Sequence, residues 1–503
     1  MSFTRFFQPD ENELNRATNY HEQPIWAMRS NRARCRLIGA ARHEVAAAAD
    51  RLVAASRNEQ RREDVETVAS ELIPLCDALG WIARRGPKVL ADRRVGLSGR
   101  PLWLWGVGSR VERLPWGRVL ILGTWNYPVF LSGVQLAQAL AGGNTVLLKP
   151  ARGSEAVSEE LVNAFYRAGV PTDALQLLDS STEAAKNAID DGVELVVLTG
   201  AAKTGQAVLH QTADSLTPTI MELSGVDAVV VLPAADPERL VNAIGFGLLF
   251  NSGATCIGPR RVMYLRGRNL PDEDLKRPAE PTWLGELTEK LQSCPPMIVH
   301  PAAREAVADA VASALAAGGV DRIGRFDESE VRRSGRMHPV VLADVPRDHA
   351  ILQTDLFAPV MTLMEMDSRD EMIAEVNDCP YRLAASVFGP RHEAEQVAAE
   401  LRVGSVTIND LVAPTADPRL PFGGRGSSGF GVTRGPEGLL AMTTPRVIST
   451  RSGRLAPHLV SRRDSDAELL TGVMQWDHGG NFRARIAGLR RLASAVGKRR
   501  RVK

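Results

Sequence analysis

Val119-Leu120-Ile121-Leu122-Gly123-Thr124-Trp125-Asn126-Tyr127-Pro128 is a β-branched and apolar run that breaks at a glycine and ends in a polar turn. No charged residue lies between Arg118 and Lys149. A bilayer-spanning helix wants ~20 predominantly apolar residues, but Asn126, Pro128, Gln135, Gln138 and Gly142-Gly143 interrupt this run. It reads as a strand over 119–122, a turn over 124–128, a helix to Ala141 closed by the glycine pair, and a strand over 145–148. Further strands are predicted at 194–198 and 228–232, with helices at 154–168, 182–189 and 203–213. Strands alternating with helices in this way make a doubly wound parallel sheet.

A second α/β stretch runs from Ala228 to about Asn409. It carries predicted helices at 237–250 and 302–317 and strands at 261–265, 297–299, 340–341 and 406–409. A glycine-rich loop over 421–431 closes it. Residues 266–296, rich in Pro and charge, read as irregular. Residues 1 to about 90 read as helical, apolar on one face and charged on the other.

The 503 residues carry 61 Lys or Arg against 59 Asp or Glu, 44% hydrophobic and 24% charged residues. Such values exclude disordered, collagen-like and coiled-coil chains and allow a large core. The small net charge of +2 is a cancellation. Residues 451–503 hold 13 basic and 4 acidic residues, net +9, and the remaining 450 residues sum to −7. A mildly acidic body is no nucleic-acid binder. In the tail, Phe482, Ile486, Leu489, Ala493 and Val496 share one helical face among Arg483, Arg485, Arg490 and Arg491, a basic amphipathic helix suited to an anionic membrane surface. The plainer alternative is a surface helix packed on its own body or on a partner subunit. Five scattered cysteines with no C-x-x-C pair predict neither disulfide framework nor metal site. No apolar leader opens the chain, so a cytoplasmic, reducing compartment is expected, with the tail allowing a membrane-peripheral one.

Five short segments are candidates for chemistry. Cys256 lies in a polar, glycine-containing turn, Asn251-Ser252-Gly253-Ala254-Thr255-Cys256, directly after an apolar helix; the alternative is an inert small hydrophobe. Glu222 sits alone between apolar segments at a turn, where a carboxylate can act as a general base or merely cap a helix. Asn126, at the carboxyl end of the first strand, can donate to an oxyanion or simply form a turn before Pro128. Thr199-Gly200-Ala201-Ala202-Lys203-Thr204-Gly205 reads as strand, glycine turn and helix. Gln206 after Gly205 excludes an ATP-binding P-loop, but a helix amino terminus there can hold a pyrophosphate. Gly424-Arg425-Gly426-Ser427-Ser428-Gly429 matches a dinucleotide fingerprint in spacing only. It follows no proper strand and opens no apolar helix, so it reads as a loop.

Taken in order, these segments, with Leu148-Lys149-Pro150, Leu356-Phe357-Ala358-Pro359 and Pro421-Phe422-Gly423-Gly424, resemble the aldehyde dehydrogenase superfamily over about residues 70–450. The look is closest to the class three branch, which tends to be dimeric and to oxidise fatty or aromatic aldehydes. The resemblance implies two doubly wound parallel-sheet domains plus a small oligomerisation arm. It divides the chain into a cofactor-binding domain (1–224), a catalytic domain with Cys256 (225–427), the arm (428–452) and a basic extension (453–503). It implies NAD or NADP as cofactor, a small-molecule aldehyde as substrate and a homodimer. Cys256 would be the nucleophile, Asn126 an oxyanion donor, and Glu222 the base that activates water. Trp125, Lys149, Arg152, Thr199, Gly200, Gly205, Asp355 and Phe357 would line the cofactor site.

Some positions depart from the family. Asp355 replaces a Glu, Ala201 a Ser, and Ser224-Gly225-Val226 stands for Gly-Gly-Lys. Arg152 reverses the charge of a Glu that often favours NAD. A charge-assisted hydrogen bond is worth ~1.5–3 kcal/mol, so NADP is expected to serve at least as well as NAD; the alternative is that Arg152 simply points to solvent. A CoA-acylating dehydrogenase on the same fold ranks second, because such relatives generally lack the Glu that stands here at 222. A degenerate scaffold on a membrane surface ranks third.

Overall fold

The structure, a computed structural model, describes residues 25–59, 63–266, 281–452, 456–459, 463 and 466–501. It falls into two compact units, residues 1–92 with 112–446, and residues 93–111 with 447–503.

The first unit contains two large sheets. Five parallel strands form most of the first: β1 (Arg118–Leu122), β2 (Thr145–Lys149), β3 (Leu175–Leu177), β4 (Leu195–Gly200) and β5 (Thr219–Leu223). The second has seven strands, in chain order β6 (Ala228–Val231), β7 (Arg261–Leu265), β8 (Val320–Asp321), β9 (Val340–Ala343), β10 (Val360–Met366), β11 (Ala384–Phe388) and β12 (Ser405–Ile408). Their spatial order is β8-β9-β10-β7-β6-β11-β12, parallel except for β8. A short return strand, β13 (Gly429–Phe430), pairs antiparallel with β5, so the first sheet runs β13-β5-β4-β1-β2-β3. The strand boundaries expected for 119–122, 145–148, 194–198 and 261–265 are met within two residues.

The helices explain the uncharged run after β1. N-terminal helices α1 (Asn31–Ala47) and α2 (Ile73–Val89) cover the first sheet together with α3 (Phe130–Gly142). Every residue of α3 is buried, so charge is excluded from it by packing and not by lipid. Gly133 lets Leu75 of α2 approach; a Cβ there would lie 2.9 Å from its methyl carbons. The buried Glu71 carboxylate accepts the N–H groups of Val129 and Phe130 at 2.6 and 3.0 Å and so caps α3. Gly143, at φ +100°, ends it. On the other side of β1, β2 and β4 lie α5 (Thr182–Asp190) and α6 (Ala202–Thr212), which contribute Ala188, Ile189 and Val208 to a separate cluster. The α4 helix (Glu155–Arg167) precedes them.

Two expectations need correction. Met221-Glu222 is not a turn: both residues lie in β5, a strand buried along most of its length. Residues 266–296 are not irregular throughout. Thr282–Gln292 is a helix that buries Trp283, Leu284, Leu287 and Leu291; residues 267–280 lie outside the described residues. The glycine-rich loop is also more than a connection, since it contains β13. A Cβ on Gly429 would meet the Met221 carbonyl oxygen at 2.0 Å, so only glycine permits this pairing. Of the N-terminal stretch read as helical, residues 1–24 lie outside the described residues.

The second unit holds most of a three-stranded sheet, built from Arg93–Val95, Val107–Pro115 and Thr443–Arg451, and a helical hairpin. The hairpin comprises α8 (Asp466–His478) and α9 (Phe482–Arg501). Glycines let the two helices touch by their backbones: a Cβ on Gly488 would lie 2.4 Å from Trp476 N. The α9 stripe turned toward α8 includes Gly488, Leu492 and Ala495, whereas Phe482, Leu489 and Val496 remain exposed. No described helix is long and apolar enough to cross a membrane.

Candidate active site

The site grows from the turn between α7 (Pro237–Leu249) and β7. Asp236 starts α7 by accepting the Arg239 N–H at 3.1 Å, with Pro237 in the first turn. After Phe250 the chain leaves helical geometry. Asn251 and Ser252 sit at φ +51° and +54°, and Gly253 at +76°. Gly253 is obligatory there, because a Cβ would lie 2.3 Å from the Ala358 carbonyl carbon. Such local strain persists only where the surroundings fix it. Asn251 Nδ2 donates to Asn126 O at 2.8 Å, and its backbone N–H donates to the Glu66 carboxylate. Tyr127 Oη pairs with Thr255 Oγ1 at 2.6 Å. From below, the buried Arg260 donates Nη2 to Gly253 O (2.6 Å) and Thr255 O (3.2 Å), and Nη1 to Ala358 O (2.9 Å).

The turn therefore holds Cys256 at one end of an apolar cavity of about 360 Å³. Phe130, Leu131, Phe246, Phe250, Ile257 and Phe422 contribute large apolar side chains to its wall. Glu222 lines the same cavity from β5. Its Oε2 accepts from Thr433 Oγ1 at 2.7 Å, and its buried Oε1 has no protein partner among the described residues. Asn126 Oδ1 accepts from Thr124 Oγ1 at 2.7 Å, which fixes the amide with Nδ2 directed at the cysteine turn, where it donates to Ala254 O at 2.9 Å. Cys256 and Glu222 thus share one cavity, and Asn126, far from both in sequence, is bonded to the cysteine turn beside it.

Burial pushes the Cys256 thiol up to about 12; Glu222, Asp227 and Asp355 act in the same direction and Arg434 against it. Asp355 is raised to about 6, first by burial, with Arg260 and a hydrogen bond from Ser224 opposing. Asp227, wholly buried, is raised well above the carboxylate range by burial, and its Oδ1 accepts the Ala384 N–H at 3.0 Å.

Of the other candidates, Lys149, Arg152, Thr199, Gly200 and Gly205 lie at or after the carboxyl ends of β2 and β4, Trp125 follows β1, and Asp355 and Phe357 precede β10. Lys149 ends β2 and makes no ion pair among the described residues. Burial, then the charge of Arg152, lowers its pKa. Arg152 is exposed. Thr199 Oγ1 accepts from Gln135 Nε2 at 2.8 Å, and Gly200 ends β4 before α6. Gly205 is one turn into α6 and packs on Leu223, where a Cβ would be 2.9 Å from Cδ1; its part is close helix–sheet contact. Trp125 stacks on His300, ring centres 4.2 Å apart at 18°, and tilts against Phe357 at 5.8 Å. His300, kept below its ordinary pKa by burial and then by Arg304, has no signal in the sequence. Arg260, Thr433 and Arg434 were equally silent there. The nearest hint was Gly435-Pro436, which begins a short helix.

These residues fit a dinucleotide. Lys149 and a buried Asp355 Oδ1, each without a partner among the described residues, a side-chain-uncapped α6 amino terminus after Gly200, and flat rings at Trp125 and Phe357 offer a cation, an acceptor, N–H donors and stacking surface. Among the described residues no group of three or more His, Cys, Asp or Glu side chains is arranged to hold a metal ion.

The model of the aldehyde dehydrogenase family matches residues 8–448. A 4,4'-diapolycopene aldehyde oxidase of Methylomonas sp. is 30% identical over 446 residues, 86% of this chain and 80% of the relative. A geranial dehydrogenase of Castellaniella defragrans is 30% identical over 70% of this chain and 72% of its own length. The structure of a betaine aldehyde dehydrogenase from Staphylococcus aureus in complex with NAD+ shares the fold, with a TM-score of 0.76 at 21% identity, over 89% of this chain and 88% of that one.

Proposed function

The chain belongs to the aldehyde dehydrogenase family and carries out NAD(P)-dependent aldehyde oxidation; on that premise we propose that Cys256 is its nucleophile, Asn126 its oxyanion donor and Glu222 its base. The observation that carries this is the cavity shared by Cys256 and Glu222, with Asn126 bonded to the cysteine turn. The Cys256 thiolate adds to the aldehyde carbon. The Asn126 amide stabilises the resulting oxyanion; one such donor is typically worth ~2.7–4 kcal/mol in the transition state. A bound nicotinamide would supply the hydride acceptor for the carbon held on Cys256. Glu222 then takes a proton from the water that hydrolyses the Cys256 thioester. The apolar walls keep bulk water from the sulfur.

Lys149 would hold the adenosine ribose of the cofactor, Asp355 would accept from a ribose hydroxyl, and Trp125 and Phe357 would offer stacking surface to the nicotinamide end. Thr199 and Gly200 shape the turn that meets the pyrophosphate, and Gly205 seats α6. With Arg152 beside Lys149, NADP serves at least as well as NAD. Steady-state kcat/KM for both cofactors tests this, and a strong NAD preference contradicts it. The cavity wall favours an apolar aldehyde, a direction in which the names of the 4,4'-diapolycopene and geranial relatives also point. Glu222 ranks thioester hydrolysis above transfer to CoA; product analysis with CoA supplied separates the two.

The body is a cytoplasmic homodimer in this reading, with residues 1–224 for cofactor, 225–427 for catalysis and 428–452 for assembly. The basic extension carries exposed Phe482, Leu489 and Val496 beside four arginines, which suits an anionic lipid surface holding apolar substrate. Removing residues 480–503 abolishes binding to anionic vesicles if so. The main test is an apolar aldehyde panel with Cys256→Ala: wild-type protein forms NAD(P)H and the variant forms none, whereas an active variant overturns the assignment.

A further inference from the structure

Arg434 is the feature of the cavity that the chemistry above leaves unused. Glu222 and Arg434 are the only charged side chains among the described residues lining it. Arg434 is 5% exposed and lies at φ +60°, a backbone conformation rare outside glycine. Its backbone N–H donates to Gln138 Oε1 at 3.1 Å and its Nη1 to Thr415 O at 2.6 Å. Its buried Nε has no hydrogen-bond partner among the described residues. The guanidinium carbon lies 4.1 Å from the Phe422 ring centre and 5.5 Å from that of Phe130. No carboxylate among the described residues is in ion-pair contact with it. Only the charges of Glu222 and Cys256 oppose the cost of burying this cation, and a strained backbone adds to that cost.

The charges around Cys256 show what the cation is for. Glu222 faces it from β5, Asp227 from the turn after β5, and Asp355 from the segment before β10. The Tyr127 phenol meets the neighbouring Thr255. Arg260 is the second cation, but its terminal nitrogens are committed to three carbonyls and its charge faces Asp227 and Asp355. On the cavity side, forming a thiolate places a second anion in an apolar chamber that already holds Glu222. We propose that Arg434 is the electrostatic partner of the Cys256 thiolate, the residue that lets this second anion form beside Glu222. The proposal rests on Cys256 being the nucleophile. Arg434 transfers no proton; the thiol proton passes to water and the guanidinium offsets the charge left on Sγ. Arg434, which lines the cavity, opposes the upward push on the thiol; Arg260 also acts on Cys256, but after Asp355 and Asp227.

The test is the pH dependence of iodoacetamide alkylation at Cys256 in the full chain, followed by peptide mass so that the other four cysteines do not contribute. An opposite charge nearby lowers a pKa by ~1–3 units, so Arg434→Gln moves the midpoint up by about one unit or more. Arg434→Lys stays near wild type, and Glu222→Gln moves the midpoint down. The pre-steady-state NAD(P)H burst of Arg434→Gln at pH 7 falls about tenfold and recovers as pH rises. Should Arg434→Gln not fold, Arg434→Met read against Arg434→Lys serves instead. Equal midpoints in wild type, the lysine variant and the neutral variant, in proteins that melt alike, overturn the proposal. If Cys256→Ala still oxidises aldehyde, it is the underlying assignment that has failed.

Discussion

Two buried arginines flank the cysteine turn and are used in opposite ways. Behind Cys256, Arg260 spends its terminal N–H groups on Gly253, Thr255 and Ala358 carbonyls and faces Asp227 and Asp355. On the cavity side, Arg434 makes one side-chain hydrogen bond among the described residues, to Thr415 O, and stacks on Phe422 in the cavity wall. The first arrangement is saturated and holds a strained turn in shape. The second leaves donors unspent where the reaction creates negative charge. The same side chain is thus a strut on one side of the sulfur and a source of field on the other.

The contrast breaks most readily on stability. Arg260→Met leaves three carbonyls and two carboxyl groups uncompensated, and removing one partner of a buried ionic set costs ~3–5 kcal/mol. Chemical or thermal unfolding should show a loss of that order. Arg434→Met removes a cation that makes no ion-pair contact among the described residues and is opposed chiefly by Glu222, so it should cost less stability than Arg260→Met. Similar losses in both variants would erase the distinction.

Asp355 sharpens the comparison from the rear. Its ordinary value of 3.8 is raised to about 6, chiefly by burial. The folded chain therefore binds this proton more tightly than the unfolded one. Its contribution is full below about pH 4 and is lost as pH rises through 6. Asp355→Asn removes that loss. The variant should match the wild-type pH trend below pH 4 and gain about 2–3 kcal/mol relative to it above pH 6. Stability curves that stay parallel from pH 4 to 7 would contradict burial as the dominant effect on this carboxyl.

A smaller effect is expected in front. Thr433→Val deletes the hydrogen bond to Glu222 Oε2, and one bond to a charged group is worth ~1.5–3 kcal/mol. The NAD(P)H burst should survive while steady-state turnover falls about tenfold or more, because Glu222 acts after the hydride has left. A burst and a steady rate that fall together would place Thr433 elsewhere in the cycle.

Legibility in the sequence followed the range of the interactions. The β1-turn-α3-β2 segment was readable because its apolar runs and glycine break are local, and the all-buried α3 explains the missing charge. Cys256 and Asn126 stood out because each sits in an unusual turn beside an apolar element. Glu222 was seen but misplaced at a turn. One carboxylate interrupts an otherwise apolar strand, and only Thr433 and the return strand at Gly429, both more than 200 residues on, make sense of it there. Arg260, Arg434 and His300 carried no signal, since their meaning depends on carbonyls, rings and acids supplied by distant segments. The order of the second sheet was hidden for the same reason: β6 lies between β7 and β11, the latter more than 150 residues away.

The most direct measurement is a rapid quench of Glu222→Gln with NAD(P)+ and an apolar aldehyde, followed by peptide mass analysis. With water activation removed, the thioester should persist. The account predicts one acyl group per chain, on the peptide containing Cys256, in step with one equivalent of NAD(P)H. A burst without an adduct, or an adduct on Cys35, Cys76, Cys294 or Cys379, would contradict it.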